Sequence, residues 1–269
     1  MTKVIVAGAA GRMGRRIGYM VNQQEGVTLA AGFERVDSPE LGKDLGELAG
    51  VGNLGIAVAG SYEEVAGQGD VVIDFTFHAA TMALARKAAE RGMPMVIGTT
   101  GLTAENLAEL KELAKRFPCV QSPNMAVGVN VLFKIARKMA SILGDGYDIE
   151  IVEAHHRMKK DAPSGTALKL GEMVAEGVNR NLAEVGVYCR EGMIGERTDK
   201  EIGIQTIRAG DIVGEHTVYF CGAGERLEIT HRAHSRDNFA RGAAIAAGWV
   251  VGKPNGLYTM FDVLGLQDI

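Results

Sequence analysis

In the first 125 positions, short hydrophobic runs alternate with stretches of helical periodicity. A β-branched run at residues 3–7 ends in glycines, and apolar residues then recur at helical spacing. Because strands that alternate with helices are typical of parallel sheets, this half predicts a doubly wound sheet of Rossmann type. The predicted strands lie at 3–7, 27–33, 56–58, 71–75, 94–97 and 119–121.

The pattern changes after residue 125. A long amphipathic helix at 129–143 leads into an alternating strand at 147–151, and three more strand-like runs follow with few helices between them. This order predicts a second α+β domain built on a mixed sheet. Residues 238–251 return to small apolar residues at helical spacing, so we expect the tail to pack on the first domain. The predicted domains are therefore 1–125 with 237–269, and 126–236.

Composition narrows the function classes. The chain has 269 residues, 46% of them hydrophobic, and a net charge of only -4, which excludes a disordered chain and gives no basic field for nucleic acid. The longest apolar stretch, at 243–251, is far shorter than the roughly 20 residues that a membrane-spanning helix needs. With so small a net charge, any positive site must be local, which fits a small acidic ligand. Three widely spaced cysteines suggest neither a disulfide framework nor a zinc site, so we expect a cytoplasmic protein.

The first glycine cluster, residues 8–14, lies between the first predicted strand and the first predicted helix. Backbone NH groups at a helix N-terminus can bind a pyrophosphate, although such glycines also serve ordinary tight turns. Glu34 lies twenty positions after Gly14 at the end of the second strand, where an acidic residue can bind the adenine ribose. Arg35 can meet a 2′-phosphate, so the pair predicts use of both NADH and NADPH.

Residues 153–167 form a second chemical cluster, rich in cationic and titratable groups. The adjacent His155 and His156 point to opposite sides of a regular strand, so they do not predict a shared metal. The segment runs into a predicted helix start at 163–166, whose NH groups favour a carboxylate. This arrangement suits a dianionic substrate, whereas the alternative is a solvated basic loop with a helix cap.

The run EAHHRMKKDAPSGTA at 153–167 resembles the signature of the 4-hydroxy-tetrahydrodipicolinate reductase family. Other segments that resemble the family follow in the same order, and together they cover nearly the whole chain: 8–14, 34–35, 74–76, 98–101, 124–131, 208–216 and 225–231.

The resemblance implies an NAD(P)H-dependent reduction of 4-hydroxy-tetrahydrodipicolinate to tetrahydrodipicolinate in the diaminopimelate and lysine pathway. It implies that His155 is the proton donor and acceptor, that Lys159 is a second acid group, and that His156, Gly165 and Thr166 bind the substrate. It also implies a homotetramer assembled through the second domain. The implied cofactor contacts are Gly8, Ala9, Ala10, Gly11, Arg12, Met13, Glu34, Arg35, Gly98, Thr99, Thr100, Ser122, Pro123, Asn124 and Met125.

Two alternatives remain open at this point. Another two-domain dehydrogenase would share the first 125 residues but has no reason to carry the 153–167 segment. A non-catalytic regulator that senses the dinucleotide would bind NADH and leave the histidine and lysine positions unconstrained. Turnover of the dicarboxylate separates both alternatives from the reductase.

Overall fold

A computed structural model describes residues 1–269, which form two compact units. The first unit contains Met1–Val127 and Arg236–Gln267, and the second contains Gly128–Ser235 and Asp268–Ile269. Each unit has its own sheet, and the two are described separately below.

The strands, in chain order, are β1 (Thr2–Ala7), β2 (Val27–Phe33), β3 (Val71–Asp74), β4 (Met95–Ile97), β5 (Pro118–Gln121), β6 (Asp148–His155), β7 (Gly186–Val187), β8 (Ile202–Arg208), β9 (Gly214–Gly222), β10 (Glu225–Ala233) and β11 (Gly256–Tyr258). The α-helices are α1 (Arg12–Gln23), α2 (Leu45–Ala49), α3 (His78–Arg91), α4 (Ala104–Leu113), α5 (Val127–Leu143), α6 (Gly165–Gly177), α7 (Leu182–Val185), α8 (Asp237–Val250) and α9 (Met260–Val263). None of these helices combines the length and the apolar composition that crossing a bilayer requires.

The sheet of the first unit has six strands in the order β11-β5-β4-β3-β1-β2, and every pair in it is parallel. The predicted Rossmann-type sheet is confirmed. The chain leaves β1 towards β2 on one side and continues from β3 on the other, so the strand order reverses between β1 and β3. In open parallel sheets, ligands bind beyond the carboxyl ends of the strands at such a switch point.

Both faces of this sheet are buried, which explains why its strands read as continuous apolar runs. Successive side chains of β1 alternate between two cores. Val4 and Val6 pack with residues of α1 and α8, whereas Ile5 and Ala7 pack with residues of α3 and α4. Helix α8 approaches closely because it is rich in small residues, and a Cβ at Gly242 would lie 1.7 Å from the carbonyl oxygen of Met125.

One strand prediction in this unit is wrong. Residues 56–58 form no strand and contain a single isolated bridge, from Ala57 to Asp44. The chain next meets the edge strand β2 only at the isolated bridge between Phe33 and Ala59, so no ladder forms there. The Ser61 hydroxyl donates a hydrogen bond to the Glu64 carboxylate, and turns rather than a helix follow these residues.

The sheet of the second unit has the order β10-β9-β6-β8-β7. β6 pairs with β9 in antiparallel fashion and with β8 in parallel fashion, so the predicted mixed sheet is confirmed. Helix α6 packs on one face of this sheet, against β6 and β8. Leu170 and Val174 of α6 are fully buried, and so are Ile151 on β6 and Ile204 on β8. The other face carries half-buried and exposed residues, as in sheets with one open side.

Candidate active site

The carboxyl ends of the first unit's parallel strands gather most of the predicted dinucleotide residues. Because all these strands run in the same direction, segments that follow them in the sequence meet at one edge of the sheet. The residues that come directly after β1, β2, β4 and β5 are Gly8, Glu34, Gly98 and Ser122.

The glycine turn between β1 and α1 requires glycine for two different reasons. Gly8 has a φ of 62°, in the left-handed region that L residues avoid. A Cβ at Gly14 would lie 2.1 Å from the Gly8 carbonyl oxygen and 2.7 Å from Ala9 Cα, so α1 could not approach the turn with any larger residue. The turn therefore presents backbone at the positive end of α1, which fits a pyrophosphate.

Glu34 and Arg35 follow β2 and lie beside this turn. A Glu34 carboxylate oxygen accepts a hydrogen bond from the Ala10 amide at 3.1 Å. The Arg35 side chain is 81% exposed and its Nε lies 3.4 Å from Asp37, so it can reorient towards an added phosphate at little cost.

A pocket of about 650 Å³ opens at this edge. Six of the predicted residues line it: Gly8, Gly11, Arg12, Met13, Glu34 and Arg35. One side of α3 also lines it, through residues at the helical spacing 80, 83, 84 and 87. That face and the 60–63 turn were missed from the sequence. The i, i+3, i+4, i+7 pattern of α3 was visible, but the pattern alone does not distinguish a pocket wall from a core face.

The other predicted cofactor residues lie outside that lining. Ala9 is buried in the core, and the Thr99 hydroxyl accepts a hydrogen bond from the Thr81 hydroxyl at 2.8 Å. Gly98 needs its lack of a side chain because a Cβ would lie 2.2 Å from the Phe75 ring. The structure brings Ala10, Gly98, Thr99, Thr100, Ser122, Pro123, Asn124 and Met125 to the loops at the same sheet edge without exposing them to this pocket.

In the second unit, Glu153 and His155 form a buried pair. They are two residues apart on β6, so their side chains point to the same face. His155 Nδ1 lies 2.5 Å from a Glu153 carboxylate oxygen, and the Glu153 side chain is fully buried.

Four further hydrogen bonds reach the Glu153 carboxylate. Arg208 donates to both oxygens at 2.8 Å, the Ser164 amide donates at 2.9 Å, and the Thr206 hydroxyl donates at 3.2 Å. Burial raises the pKa of Glu153, but hydrogen bonds from His155, Arg208 and Ser164 outweigh it and hold the pKa well below its ordinary range. The carboxyl is therefore ionised at neutral pH.

The loop after β6 carries the remaining predicted residues. Lys159 Nζ forms an ion pair with Asp161 at 2.9 Å, and the Lys159 side chain is 21% exposed. Arg208 also donates to the Asp161 carbonyl at 2.7 Å, so the loop is fastened to the Glu153 cluster. His156 lies directly after β6 and is half-buried.

The start of α6 follows this loop. The Ser164 hydroxyl caps the helix by accepting from the Ala167 amide at 3.1 Å. Gly165 is exposed and Thr166 is half-buried in the first turn, where the helix dipole favours an anion.

His216 also belongs to this cluster, although it is not among the predicted site residues. It lies on β9, its ring packs edge-on against His155 with centroids 5.2 Å apart, and its Nε2 lies 3.1 Å from the Ser164 hydroxyl. Burial, together with the nearby His155, lowers the pKa of His216 to about 3. His216 is therefore neutral at pH 7. Its separation from His155 in the sequence gave no signal, because only the pairing of β6 with β9 makes them neighbours.

Two family models match the chain. The dihydrodipicolinate reductase N-terminal model covers residues 2–125, and the C-terminal model of the same family covers residues 128–264. The chain belongs to the dihydrodipicolinate reductase family.

Sequence and structural similarity to individual proteins supports the assignment to this family. The chain is 66% identical over its whole length, and over the whole of the relative, to a 4-hydroxy-tetrahydrodipicolinate reductase of Desulfotalea psychrophila. It is 55% identical, over 99% of the chain and 100% of the relative, to the enzyme of that name from Syntrophobacter fumaroxidans. A dipicolinate-bound dihydrodipicolinate reductase from Paenisporosarcina sp. TG-14 is 25% identical and superposes with a TM-score of 0.72, over 97% of this chain and 98% of that one.

Membership in the dihydrodipicolinate reductase family confirms the predicted family and the predicted enzyme class, an oxidoreductase that uses a nicotinamide dinucleotide. An amine dehydrogenase from Mycobacterium smegmatis shares the fold alone, with a TM-score of 0.58 at 15% identity over 96% of this chain and 95% of that one. No cluster of three or more histidine, cysteine, aspartate or glutamate side chains could hold a metal ion.

Proposed function

We propose that the protein reduces 4-hydroxy-tetrahydrodipicolinate to tetrahydrodipicolinate in the diaminopimelate and lysine pathway, with NADH or NADPH as the reductant. The observation that carries this proposal is the Glu153–His155 pair, which lies beside the capped start of α6. This arrangement places a proton donor, His155, beside a helix N-terminus that can bind an anion, and reduction of a dicarboxylate requires both. The full-length relatives that bear this enzyme's name support the substrate.

In this proposal His155 supplies the proton that the reduced ring takes up. Histidine suits this task because its ordinary titration range lies near neutral pH. Lys159 is the second acid group and also attracts a substrate carboxylate, for which it must leave Asp161. His156, Gly165 and Thr166 hold the substrate, with the first turn of α6 facing a carboxylate.

The first unit holds the dinucleotide. The turn at 8–13 binds the pyrophosphate, Glu34 binds the adenine ribose, and Arg35 binds the 2′-phosphate of NADPH. The loops at 98–100 and 122–125 complete the cofactor site at the same edge of the sheet. When bound, the dihydronicotinamide would supply a hydride to C4 of the conjugated cyclic imine, and the 4-hydroxy group of the substrate is released as water.

We also infer that the protein works in the cytoplasm as a homotetramer. The three cysteines are unpaired, which agrees with a reducing compartment. The partly open face of the second unit's sheet offers a surface for assembly.

Steady-state turnover of the dicarboxylate with each cofactor tests the proposed function. Because both Glu34 and Arg35 line the pocket, we expect kcat/KM for NADH and NADPH to agree within about tenfold, which is roughly 1.4 kcal/mol. Arg35→Ala should weaken NADPH far more than NADH. Arg116→Ala removes an exposed arginine of the same unit that is not in the pocket lining and should change neither. A preference above about a thousandfold, or the absence of turnover, contradicts the proposal.

A further inference from the structure

The Glu153 carboxylate has no task of its own in the proposed reaction, yet it has an unusually complete set of partners. Five hydrogen bonds from four residues converge on a side chain that is fully buried. An ionised group in such a place is costly unless it is paired, so its retention calls for a specific role.

We propose that Glu153 is a positioning residue, which keeps the hydrogen of His155 on Nδ1 and thereby assigns proton transfer to Nε2. The same carboxylate fastens the start of α6 to this histidine. The inference rests on the proposed function for its catalytic meaning, and its geometric part stands independently of that function.

The tautomer follows from the donors around the carboxylate. Every partner of Glu153 other than His155 is a donor: the Arg208 guanidinium, the Ser164 amide and the Thr206 hydroxyl. An ionised carboxylate has no hydrogen to give, so at 2.5 Å the Nδ1 atom of His155 must be the donor. The neutral ring then carries its lone pair on Nε2, and the charged ring releases its proton from Nε2.

The surroundings of Nε2 agree with that assignment. A Cβ at Gly214 would lie 3.0 Å from Nε2 and 3.4 Å from Cδ2 of His155, so glycine at this position leaves room beside the reactive nitrogen. In contrast, Nδ1 is enclosed by the buried carboxylate.

The charged and titratable groups around the Glu153–His155 pair come from three strands and one loop. Glu153 lies on β6, Arg208 on β8 and His216 on β9, while Lys159 and Asp161 lie in the loop after β6. Arg208 balances the charge of Glu153 and, with two parallel hydrogen bonds, fixes its plane. The neutral His216 adds no charge to the cluster, so Glu153 is the anion that directly contacts the imidazole.

The link to α6 runs through the opposite carboxylate oxygen. The Ser164 amide donates to that oxygen, and the Ser164 hydroxyl caps the helix. One side chain therefore sets the position of the proton donor and of the helix end that we assign to the substrate carboxylate. A displacement of about 1 Å in such an arrangement is enough to lower a rate about a hundredfold.

The variant Glu153→Gln tests the tautomer directly. In the glutamine side chain one of the two carboxylate oxygens is replaced by an NH2 group. The oxygen beside His155 accepts from one other donor, on Arg208, whereas the second oxygen accepts from three, on Arg208, Ser164 and Thr206. The NH2 group should therefore take the place next to Nδ1. It would then donate to Nδ1 and force the hydrogen of the neutral ring onto Nε2. Nitrogen-15 NMR of histidine-labelled protein, with His155→Gln to assign the resonance, distinguishes the two tautomers.

The expected result is an Nδ1–H ring in the natural protein and an Nε2–H ring in Glu153→Gln. Glu228→Gln, at an exposed position on β10 that pairs with Arg226, is the matched control and should leave the His155 resonances unchanged. An Nε2–H ring in the natural protein, or an unchanged ring in Glu153→Gln, overturns the inference whether or not the enzyme turns over its substrate.

Kinetics test the functional half. Glu153→Gln should lower kcat by about 10²- to 10⁴-fold, the range found when an outer carboxylate or a tautomer is lost. NADH affinity should be unchanged, since the dinucleotide residues belong to the first unit. A normal kcat overturns the positioning role.

If Glu153→Gln fails to fold because Arg208 is left unpaired, the double variant Glu153→Gln/Arg208→Met removes both charges. It should fold, bind NADH normally and show the same loss of kcat and the same tautomer change. If that double variant retains normal turnover, Glu153 does not position His155. Failure of the natural protein to act on the dicarboxylate would instead contradict the proposed function while leaving the tautomer measurement valid.

Discussion

At the residue scale, the two adjacent histidines show what strand geometry alone determines. His155 ends β6 on the face that carries Glu153, whereas His156 begins the loop. The opposite directions of adjacent strand residues could be predicted from the sequence. The partners of His155 could not, because Arg208 and His216 reach it only through the pairing of β6 with β8 and β9.

This difference in surroundings predicts different kinetic effects. His155→Gln removes the transferable proton and should lower kcat about 10²-fold or more, with NADH affinity unchanged. His156→Ala should mainly raise KM for the dicarboxylate, because its side chain does not join the Glu153 pair. Lys159→Ala should lower kcat and raise KM together. Near-normal kcat for His155→Gln at neutral pH would show that the proton comes from another group.

Buried His216 should make stability depend on pH. Its pKa falls from an ordinary 6.5 to about 3 in the folded protein, so between these values the unfolded chain binds a proton that the folded chain does not. Stability is therefore lost as pH falls through this window, by about 2 kcal/mol between pH 7 and pH 5.

Urea denaturation at pH 7, 6 and 5 measures this loss. His216→Gln should reduce the dependence to the part that His231 contributes, because burial also lowers the pKa of His231. Equal slopes for the natural protein and His216→Gln would mean that His216 titrates normally. The Glu153 carboxyl contributes little to this pH dependence, because its ordinary pKa of 4.5 lies below the pH range measured and its pKa in the folded protein is lower still.

At the element scale, the turn between β1 and α1 was the part of the site most visible in the sequence. A strand, closely spaced glycines and a helix specify a local structure, and the structure contains all three in that order. The wall made by α3 and the 60–63 turn was hidden, because a run of alanines at helical spacing fits a core face equally well. The misassigned strand at 56–58 has a similar cause, since an apolar triplet does not reveal whether the segment pairs with an edge strand or only passes beside it.

The close contact within this turn predicts that Gly14→Ala harms the dinucleotide site. Its Cβ would meet backbone atoms of Gly8 and Ala9, which cannot move without shifting the turn. We expect a loss of about 1–3 kcal/mol in stability and at least a tenfold weaker affinity for NADH. Gly67→Ala is the control, because a Cβ there meets nothing within 4 Å and the backbone is not in the left-handed region. Fluorescence titration measures the affinity for NADH, and thermal unfolding measures stability. Equal values for Gly14→Ala and Gly67→Ala would mean that the turn accommodates a Cβ at position 14.

At the scale of the whole molecule, the change of pattern after residue 125 predicted that two kinds of sheet would follow one another. The cause is physical. Strands of a covered parallel sheet, such as β3, carry buried side chains on both faces, whereas buried and partly exposed side chains alternate along β9. The assignment of strands to neighbours inside the mixed sheet could not be read from that pattern. It depends on the pairing of β6 with both β8 and β9, which joins segments about fifty residues or more apart.

The open face of the mixed sheet leads to the last prediction, the homotetramer. On β9 the side chains that alternate with the buried ones are Glu215, Thr217, Tyr219 and Cys221. The Thr217 hydroxyl lies 3.0 Å from that of Thr230 on β10, and Ile207 on β8 is 48% exposed. A surface of this kind, with small polar residues and some apolar ones on a regular sheet, can pack against a copy of itself about a two-fold axis.

Sedimentation equilibrium at micromolar concentration should therefore give the mass of four chains. Thr217→Arg places a charge in the middle of this face, and two-fold symmetry would bring it near its own copy, so the assembly should dissociate to smaller species. Thr198→Arg, outside the sheet in the same unit, is the control and should remain tetrameric. A monomeric natural protein would rule out the tetramer, and a tetrameric Thr217→Arg would mean that the copies meet through a different surface.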